Sequence, residues 1–442
     1  MPKSVYIETF GCQMNVSDSE VVAAILQLNG FALTDNPQGA DVVLINTCAI
    51  RDNAEQRIWG RIGYFEAFRK ERPLIGILGC MAGRLKNELL EAKKTVDIVA
   101  GPDTYRQLPA LIERAAEGGK SIDTTLSRVE TYDEILPYRY ATPGVSGFTS
   151  IMRGCNNMCS YCVVPFTRGR ERSRSPYSIQ KEVDTLESLG YKEVTLLGQN
   201  VDSYHATAAN GAAIDFADLL ASVAEAHPNL RVRFSTSHPK DINIKVVRTI
   251  ATHPNLCKHI HLPVQSGASS MLERMRRGYT RERYLELIDM IRSTIPECAI
   301  STDIIAGFCD ETEGEHQATL SLMDAVRFDT AFMFKYSERP GTYAATRLAD
   351  NVPDEIKGQR LDEIIQLQNK HSLERNQAHI NQTLEVLVEG PSKKRNSELC
   401  GRTTGNKMVV FPAGNAAVGE LRNVTITDCS SATLLGNLTA PV

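Results

Sequence analysis

A chain of 442 residues with 42% hydrophobic and 23% charged residues has the composition of a globular protein, with room for several domains. Its net charge of −4 excludes a whole-molecule basic field, so any nucleic-acid contact must come from local patches. The sequence shows no apolar run long enough to span a bilayer and no export signal, so a cytoplasmic protein without membrane contact is expected. Eleven cysteines in a reducing compartment point to metal or redox chemistry rather than disulfides.

Residues 1–125 read as a first domain. Three apolar runs, beginning at Val5, Val42 and Leu74, each end in a cysteine: Cys12, Cys48 and Cys80. Amphipathic helix patterns separate them. Ser17 or Asp18 is the expected cap of the first, with Val21, Val22, Ile25 and Leu28 on one face. Asp52 is the expected cap of the second, which runs past Trp59 and Phe65. Strand–helix alternation predicts a parallel sheet, completed by a strand near Val96–Ala100 and a helix near Tyr105–Ala116. In such a sheet the C-terminal strand ends share one edge, where ligands collect. The three thiols are therefore expected to converge and to hold an iron–sulfur cluster. Residues 126–145 read as a connector.

Residues 146–378 alternate again. Strands are expected at Thr149–Met152, Glu193–Leu197, Arg231–Phe234, His259–Val264, Ala299–Ile305 and Thr330–Phe334, with helices between them. This is the pattern of an incomplete (β/α)6 barrel. A trailing helix follows from Pro353, with Ile356, Leu361, Ile364 and Leu367 along one side. Directly after the first strand stand Cys155, Cys159 and Cys162, in the order Cys-x3-Cys-x2-Cys. A structural zinc site closes with four ligands, and no fourth Cys or His is near. An iron–sulfur cube held by three thiolates keeps one iron free of protein ligands, able to bind a small molecule and pass it an electron. Structural zinc is the alternative, to be decided by iron and sulfide analysis. Other strand ends carry Gly198-Gln199-Asn200, Ser235-Thr236, Gln265-Ser266 and Thr302-Asp303, while His238, His259 and His261 are read as structural. Arg168, Arg170, Arg172 and Arg174 alternate after the cysteine loop. In extended form they would make a row suited to RNA phosphates; the other reading is a loop paired with carboxylates.

From 380 to 442 the chain turns to short alternating runs at Leu384–Glu389, Leu399–Thr403, Lys407–Phe411 and Leu421–Asp428, a small antiparallel β-barrel. Lys393-Lys394-Arg395 is its strongest hint of RNA binding.

Taken together, the chain resembles the methylthiotransferases of the radical S-adenosylmethionine (SAM) superfamily along nearly its whole length. The Cys155/Cys159/Cys162 spacing, with Tyr161 before the third cysteine, is similar to the radical SAM signature, and the tail resembles a TRAM domain. The runs Thr9–Asn15, Asn46–Arg51 and Tyr161–Gly169 are similar to the branch acting on N6-isopentenyladenosine at position 37 of tRNA. The resemblance implies two [4Fe–4S] clusters, on Cys12/Cys48/Cys80 and on Cys155/Cys159/Cys162, and two SAM molecules per turnover. One SAM would be the source of the methyl group. The other would give the 5′-deoxyadenosyl radical that activates C2 of the adenine. By analogy with radical SAM enzymes Tyr161, Gly198, Gln199, Asn200, Ser235, Gln265 and Asp303 would line SAM and substrate, Gly198 beside the methionine amino group and Asp303 on a ribose hydroxyl. It further implies a tRNA anticodon stem-loop as partner, a reductant such as flavodoxin or ferredoxin, and a monomeric enzyme. Competing substrates are a ribosomal-protein aspartate and threonylcarbamoyladenosine tRNA; a non-catalytic iron–sulfur RNA-binding protein is the reading from another class. The stretch Ala306–Thr312 departs from the family's Gly-Phe-Pro-Gly-Glu-Thr: Cys309 replaces the proline and Asp310 the glycine. That puts the local loop geometry in question. Cys257, Cys298, Cys309, Cys400 and Cys429 are read as non-ligands.

Overall fold

A computed structural model describes residues 3–48, 52–66, 73–92, 95–139, 144–208 and 210–439. The first domain is a six-stranded parallel sheet in the order Ala32–Leu33, Ser4–Phe10, Val42–Thr47, Leu74–Gly79, Val96–Ala100, Ser121–Asp123. The two edge strands, too short to carry a periodicity, are not legible in the sequence. Phe10 pairs with Thr47 and Thr47 with Gly79, so the chain leaves the sheet at one level before Cys12, Cys48 and Cys80. Strand order reverses between the first and third strands, the place where open α/β sheets collect ligands.

The first helix, Gln13–Leu28, starts earlier than expected and has Cys12 as its N-cap. Ser17 and Asp18 are thus buried within the helix rather than capping it, and Leu28 is exposed at its end. The expected Asp52 cap and the motif residues Ala49, Ile50 and Arg51 lie outside the described side chains.

The barrel consists of two parallel three-stranded sheets. One holds Ser146–Ser150, Glu193–Leu197 and Arg231–Ser235; the other holds His259–His261, Ala299–Ala306 and Thr330–Lys335. A parallel bridge from Val232 to Leu256 lies between them. Val194, Val232, Phe234, Ile300 and Ile304 pack in the core with apolar residues of the helices. Their sequence neighbours Arg233, Ser301 and Asp303 face the opposite way, because side chains alternate along a strand. A parallel sheet buried on both faces reads apolar throughout; here one face is polar, the expected mark of a site. The turn that departs from the family pattern keeps a left-handed residue, Asp310 at φ +57°. Asn351 receives the Asp310 N–H at 3.0 Å, offsetting the loss of glycine.

The tail forms a closed barrel of five strands, the last of which, Leu434–Leu438, was not legible. It docks at the N-terminal ends of the large barrel's strands. Arg231 donates to the Arg402 carbonyl at 2.9 Å, Arg233 to the Thr403 and Thr404 carbonyls at 2.6 and 3.0 Å, and Lys407 meets Asp329 at 2.8 Å. The opposite, C-terminal face is thereby left to the cysteine loop. No helix among the described residues is long and apolar enough to cross a membrane.

Candidate active site

The first three thiols come together from separate strand ends. Asn15, fully buried, holds two of those ends: its amide donates to Asn46 Oδ1 at 3.0 Å and the Thr47 carbonyl at 3.2 Å, while its Oδ1 accepts from Cys12 Sγ at 3.2 Å. Cys12 is exposed at the rim; Cys48 and Cys80 are buried. A hydrogen bond from Cys48, with help from the Arg168 guanidinium and against burial, draws the Cys12 thiol down to about 6. Burial pushes Cys80 up.

The second triad sits on the loop after Ser146–Ser150 and Met152–Arg153. Cys155 N–H donates to the Gly169 carbonyl at 3.1 Å, Ser160 N–H to Met275 at 3.0 Å, and Lys240 Nζ reaches Asn157 Oδ1 at 2.7 Å. Gly154 has φ +79°, and a Cβ there would lie 2.0 Å from the Arg170 carbonyl oxygen. Gly154→Ala should therefore displace the cysteine loop, costing ~1–3 kcal/mol of backbone strain before the clash is counted. If Cys155, Cys159 and Cys162 hold a cluster, the variant should bind less iron per chain than the wild type after anaerobic reconstitution. Burial holds Cys155 up at about 11 and Cys162 up at about 12. As ligands these thiols would have to be thiolates, so metal uptake would release protons.

The segment that follows the second triad packs on the first. Cys80 packs against Val163, the residue after Cys162, and Arg168 Nε donates to Cys80 Sγ at 3.1 Å. In the second triad Arg277, also buried, donates to Cys159 Sγ at 3.3 Å and to the Pro263 carbonyl at 2.7 Å. Among the described residues no three His, Cys, Asp or Glu side chains are grouped to hold a single metal ion. A cube of iron and sulfide spans more space than one ion, and the donor set of three thiols with an N–H donor beside it fits such a group at both places.

The residues expected around SAM separate into two kinds. Gln199 Oε1 and Asn200 Oδ1 are buried with no hydrogen-bond partner among the described residues, as is Nε2 of His238, and buried polar atoms of this kind call for a ligand or water. Asn200 Nδ2 donates to Asp241 at 2.7 Å, and Asp241 in turn accepts from Asn157 of the cysteine loop at 3.4 Å. Tyr161 accepts from Arg277 at 3.4 Å and meets Phe308 edge-on. Ser235 is half-buried, with its hydroxyl 3.2 Å from that of Thr236. Asp303 lies half-exposed on the inner face with His261 Nε2 at 3.5 Å. Gln265 is buried, and its backbone pairs with the Ala299–Ala306 strand. At Gly198 an added Cβ would sit 2.7 Å from Met152 Cγ, so packing alone calls for glycine. Burial drives His238 down to about 2 and His259 down to about 3, leaving both neutral at physiological pH.

The arginine row requires a correction. Arg168, Arg172 and Arg174 are buried and cannot present themselves to RNA. Arg168 pairs with Asp18 at 2.8 Å, Arg172 with Asp103 at 2.8 Å, and Arg174 with Glu182 at 2.6 Å. Arg153, from the start of the cysteine loop, meets Asp18 at 2.9 Å, and Tyr105 donates to that carboxylate at 3.3 Å. The pairs on Asp18 and Asp103 form an ionic seam between the first domain and the barrel, while Arg174–Glu182 lies within the barrel. Of the row only Arg170 is exposed. Lys393, Lys394 and Arg395 are all exposed, on the turn between Thr383–Pro391 and Glu398–Thr403, with Arg395 paired to Glu398 at 3.2 Å.

Beyond these, Phe332 and Phe334 were not singled out in the sequence. Both lie on the face of Thr330–Lys335 opposite to the core residues Ala331 and Met333, and both are exposed, at 49% and 37%. Phe332 meets His261 edge-on at 5.8 Å between ring centres, which places it beside Asp303. The alternation of aromatic with aliphatic residues along the last barrel strand, Ala331-Phe332-Met333-Phe334, was the available signal.

Three family descriptions match the chain: Uncharacterized protein family UPF0004 over residues 4–101, the radical SAM superfamily over 149–323 and the TRAM domain over 377–439. The tRNA-2-methylthio-N(6)-dimethylallyladenosine synthase of Porphyromonas gingivalis (strain ATCC BAA-308 / W83) is 53% identical over 441 residues, covering 99% of this chain and 95% of that protein. The protein of the same name from Bacteroides thetaiotaomicron is 53% identical over 436 residues, 98% of this chain and 96% of that one. Among solved structures, the radical S-adenosylmethionine methyltransferase TsrM from Kitasatospora setae, with cobalamin and a [4Fe-4S] cluster bound, matches with TM-score 0.60 at 15% identity, over 78% of this chain and 77% of that one. At that identity the likeness concerns the fold.

Proposed function

This chain belongs to the tRNA-2-methylthio-N(6)-dimethylallyladenosine synthases, enzymes of the radical SAM superfamily, and on that premise we propose that it places a methylthio group on C2 of N6-isopentenyladenosine at position 37 of tRNA, with two iron–sulfur clusters and two SAM molecules per turnover. The observation that carries the reading is that Val163 and Arg168, just beyond Cys162, pack on Cys80 of the other triad. When bound, a cluster on Cys155, Cys159 and Cys162 supplies the electron that cleaves SAM, and one on Cys12, Cys48 and Cys80 supplies the methylthio sulfur. The chain's own work is placement. Asn15 fixes the first triad, Lys240 and Asp241 brace the loop of the second, and Gln199 and Asn200 offer unpaired oxygens to SAM. The aromatic rings of Phe332 and Phe334 suit a flipped, prenylated adenine, whose π-face and dimethylallyl group are both apolar. Phe332→Ala is expected to raise KM for the modified stem-loop by roughly ten-fold, the scale of one lost base–aromatic stack, while 5′-deoxyadenosine release in the absence of RNA is unchanged. Arg170 and the Lys393-Lys394-Arg395 turn contact the RNA backbone in this reading. A flavodoxin- or ferredoxin-type donor supplies electrons to a cytoplasmic, monomeric enzyme.

The test is anaerobic turnover with an isopentenyl-modified anticodon stem-loop, SAM and dithionite. Methylthio-modified nucleoside by mass spectrometry is the expected product. Release of 5′-deoxyadenosine with no change in the RNA would overturn the substrate assignment.

A further inference from the structure

The barrel reaches the site of the first domain with a polar side chain as well as with Val163. Arg168 lies just after the radical SAM loop, yet the hydrogen bonds of its guanidinium are made toward the first domain. It is 3% exposed, with Nε on Cys80 Sγ at 3.1 Å and Nη2 on Asp18 at 2.8 Å. Its third nitrogen, Nη1, is buried and has no hydrogen-bond partner among the described residues. An unpaired guanidinium N–H in such a place costs more than a satisfied one unless a ligand meets it.

The charges point the same way. Along the seam Arg168 shares the Asp18 carboxylate with Arg153, which Asp103 and Glu130 also face. The other groups facing Arg168 include the thiols of Cys12 and Cys80. Buried charge of one sign is tolerated where the opposite sign is supplied close by.

We propose that Arg168 is a positioning residue for the Cys12/Cys48/Cys80 site: it donates hydrogen bonds from the barrel to the anionic group assembled on those thiols and raises its reduction potential. This rests on the reading that an iron–sulfur cluster is held there. Three thiolates and a cluster core carry net negative charge, which grows by one on reduction. A fixed cation and N–H···S bonds stabilise the reduced form more than the oxidised form. Arg277, which donates to Cys159, stands in the corresponding relation to the second triad and serves as an internal control.

The experiment uses the full chain with Cys155, Cys159 and Cys162 all changed to Ala, so that one cluster remains, and reads its midpoint potential by EPR-monitored titration together with iron and sulfide per chain. Adding Arg168→Gln should move the potential to a more negative value, whereas adding Arg277→Gln should leave it where it was. Arg168→Lys, which keeps the charge and loses the fork, should shift the potential in the same direction by less. An Arg168→Gln potential equal to that of its parent overturns the proposal, as does an equal shift from Arg277→Gln. If the Gln chain retains no iron, the Lys chain decides, and a parent-like potential there overturns the proposal. A parent that binds no cluster on the first triad removes the two-cluster reading itself, which is a distinguishable failure.

Discussion

Alanine at Cys155, Cys159 and Cys162 is expected to take 5′-deoxyadenosine release below detection, because no other thiols lie on the barrel's cysteine loop. Alanine at Cys12, Cys48 and Cys80 is expected to leave that release in place and to abolish the methylthio product. The asymmetry follows from the architecture. The second triad is held by barrel groups such as Arg277, Ser160 and Lys240, none of which needs the first triad. The first triad is held by Asn15 and by Arg168, neither of which bonds to the second triad. Anaerobic turnover with liquid chromatography and mass spectrometry reads both products from one reaction. Methylthio product from the second variant would mean that sulfur is delivered elsewhere.

The second large effect is on stability. Asp18→Ala strips a fully buried carboxylate from between Arg153 and Arg168, at 2.9 and 2.8 Å, and removes the acceptor of Tyr105. Breaking one partner of a buried ion pair costs ~3–5 kcal/mol, because an uncompensated charge stays behind. Here two guanidinium groups are affected, so the upper part of that range is expected, measured by urea unfolding of the metal-free chain. Asp18→Asn should recover part of the loss by keeping hydrogen-bond acceptance. A change of less than ~0.5 kcal/mol, the size of an ordinary surface substitution, would show that the seam does not hold the domains together.

What the sequence made legible was what local pattern encodes. Three apolar runs ending in cysteine placed Cys12, Cys48 and Cys80 on one sheet edge because parallel strands all end on the same side, and Phe10, Thr47 and Gly79 are indeed in register. The arginine row was ambiguous for the opposite reason. Alternating arginines look alike whether they face phosphates or carboxylates, and the partner of Arg168 is Asp18, 150 positions away. Ser17 and Asp18 have the pattern of a helix cap, since a serine or aspartate before an apolar stripe is the usual sign of one. The true helix start at Gln13 is set by Cys12, a residue type with no capping preference, so propensity could not find it. The docking of the tail barrel under the large one rests on Arg231, Arg233 and Lys407 meeting backbone carbonyls and Asp329, pairings with no sequence signature.

The measurement that bears most directly on the central claim is iron and sulfide per chain after anaerobic reconstitution, in the wild type and in each triple cysteine variant. Two separate three-thiolate sites predict about eight irons in the wild type and about four in either variant. About four irons in the wild type, unchanged when Cys12, Cys48 and Cys80 are replaced, would contradict the account.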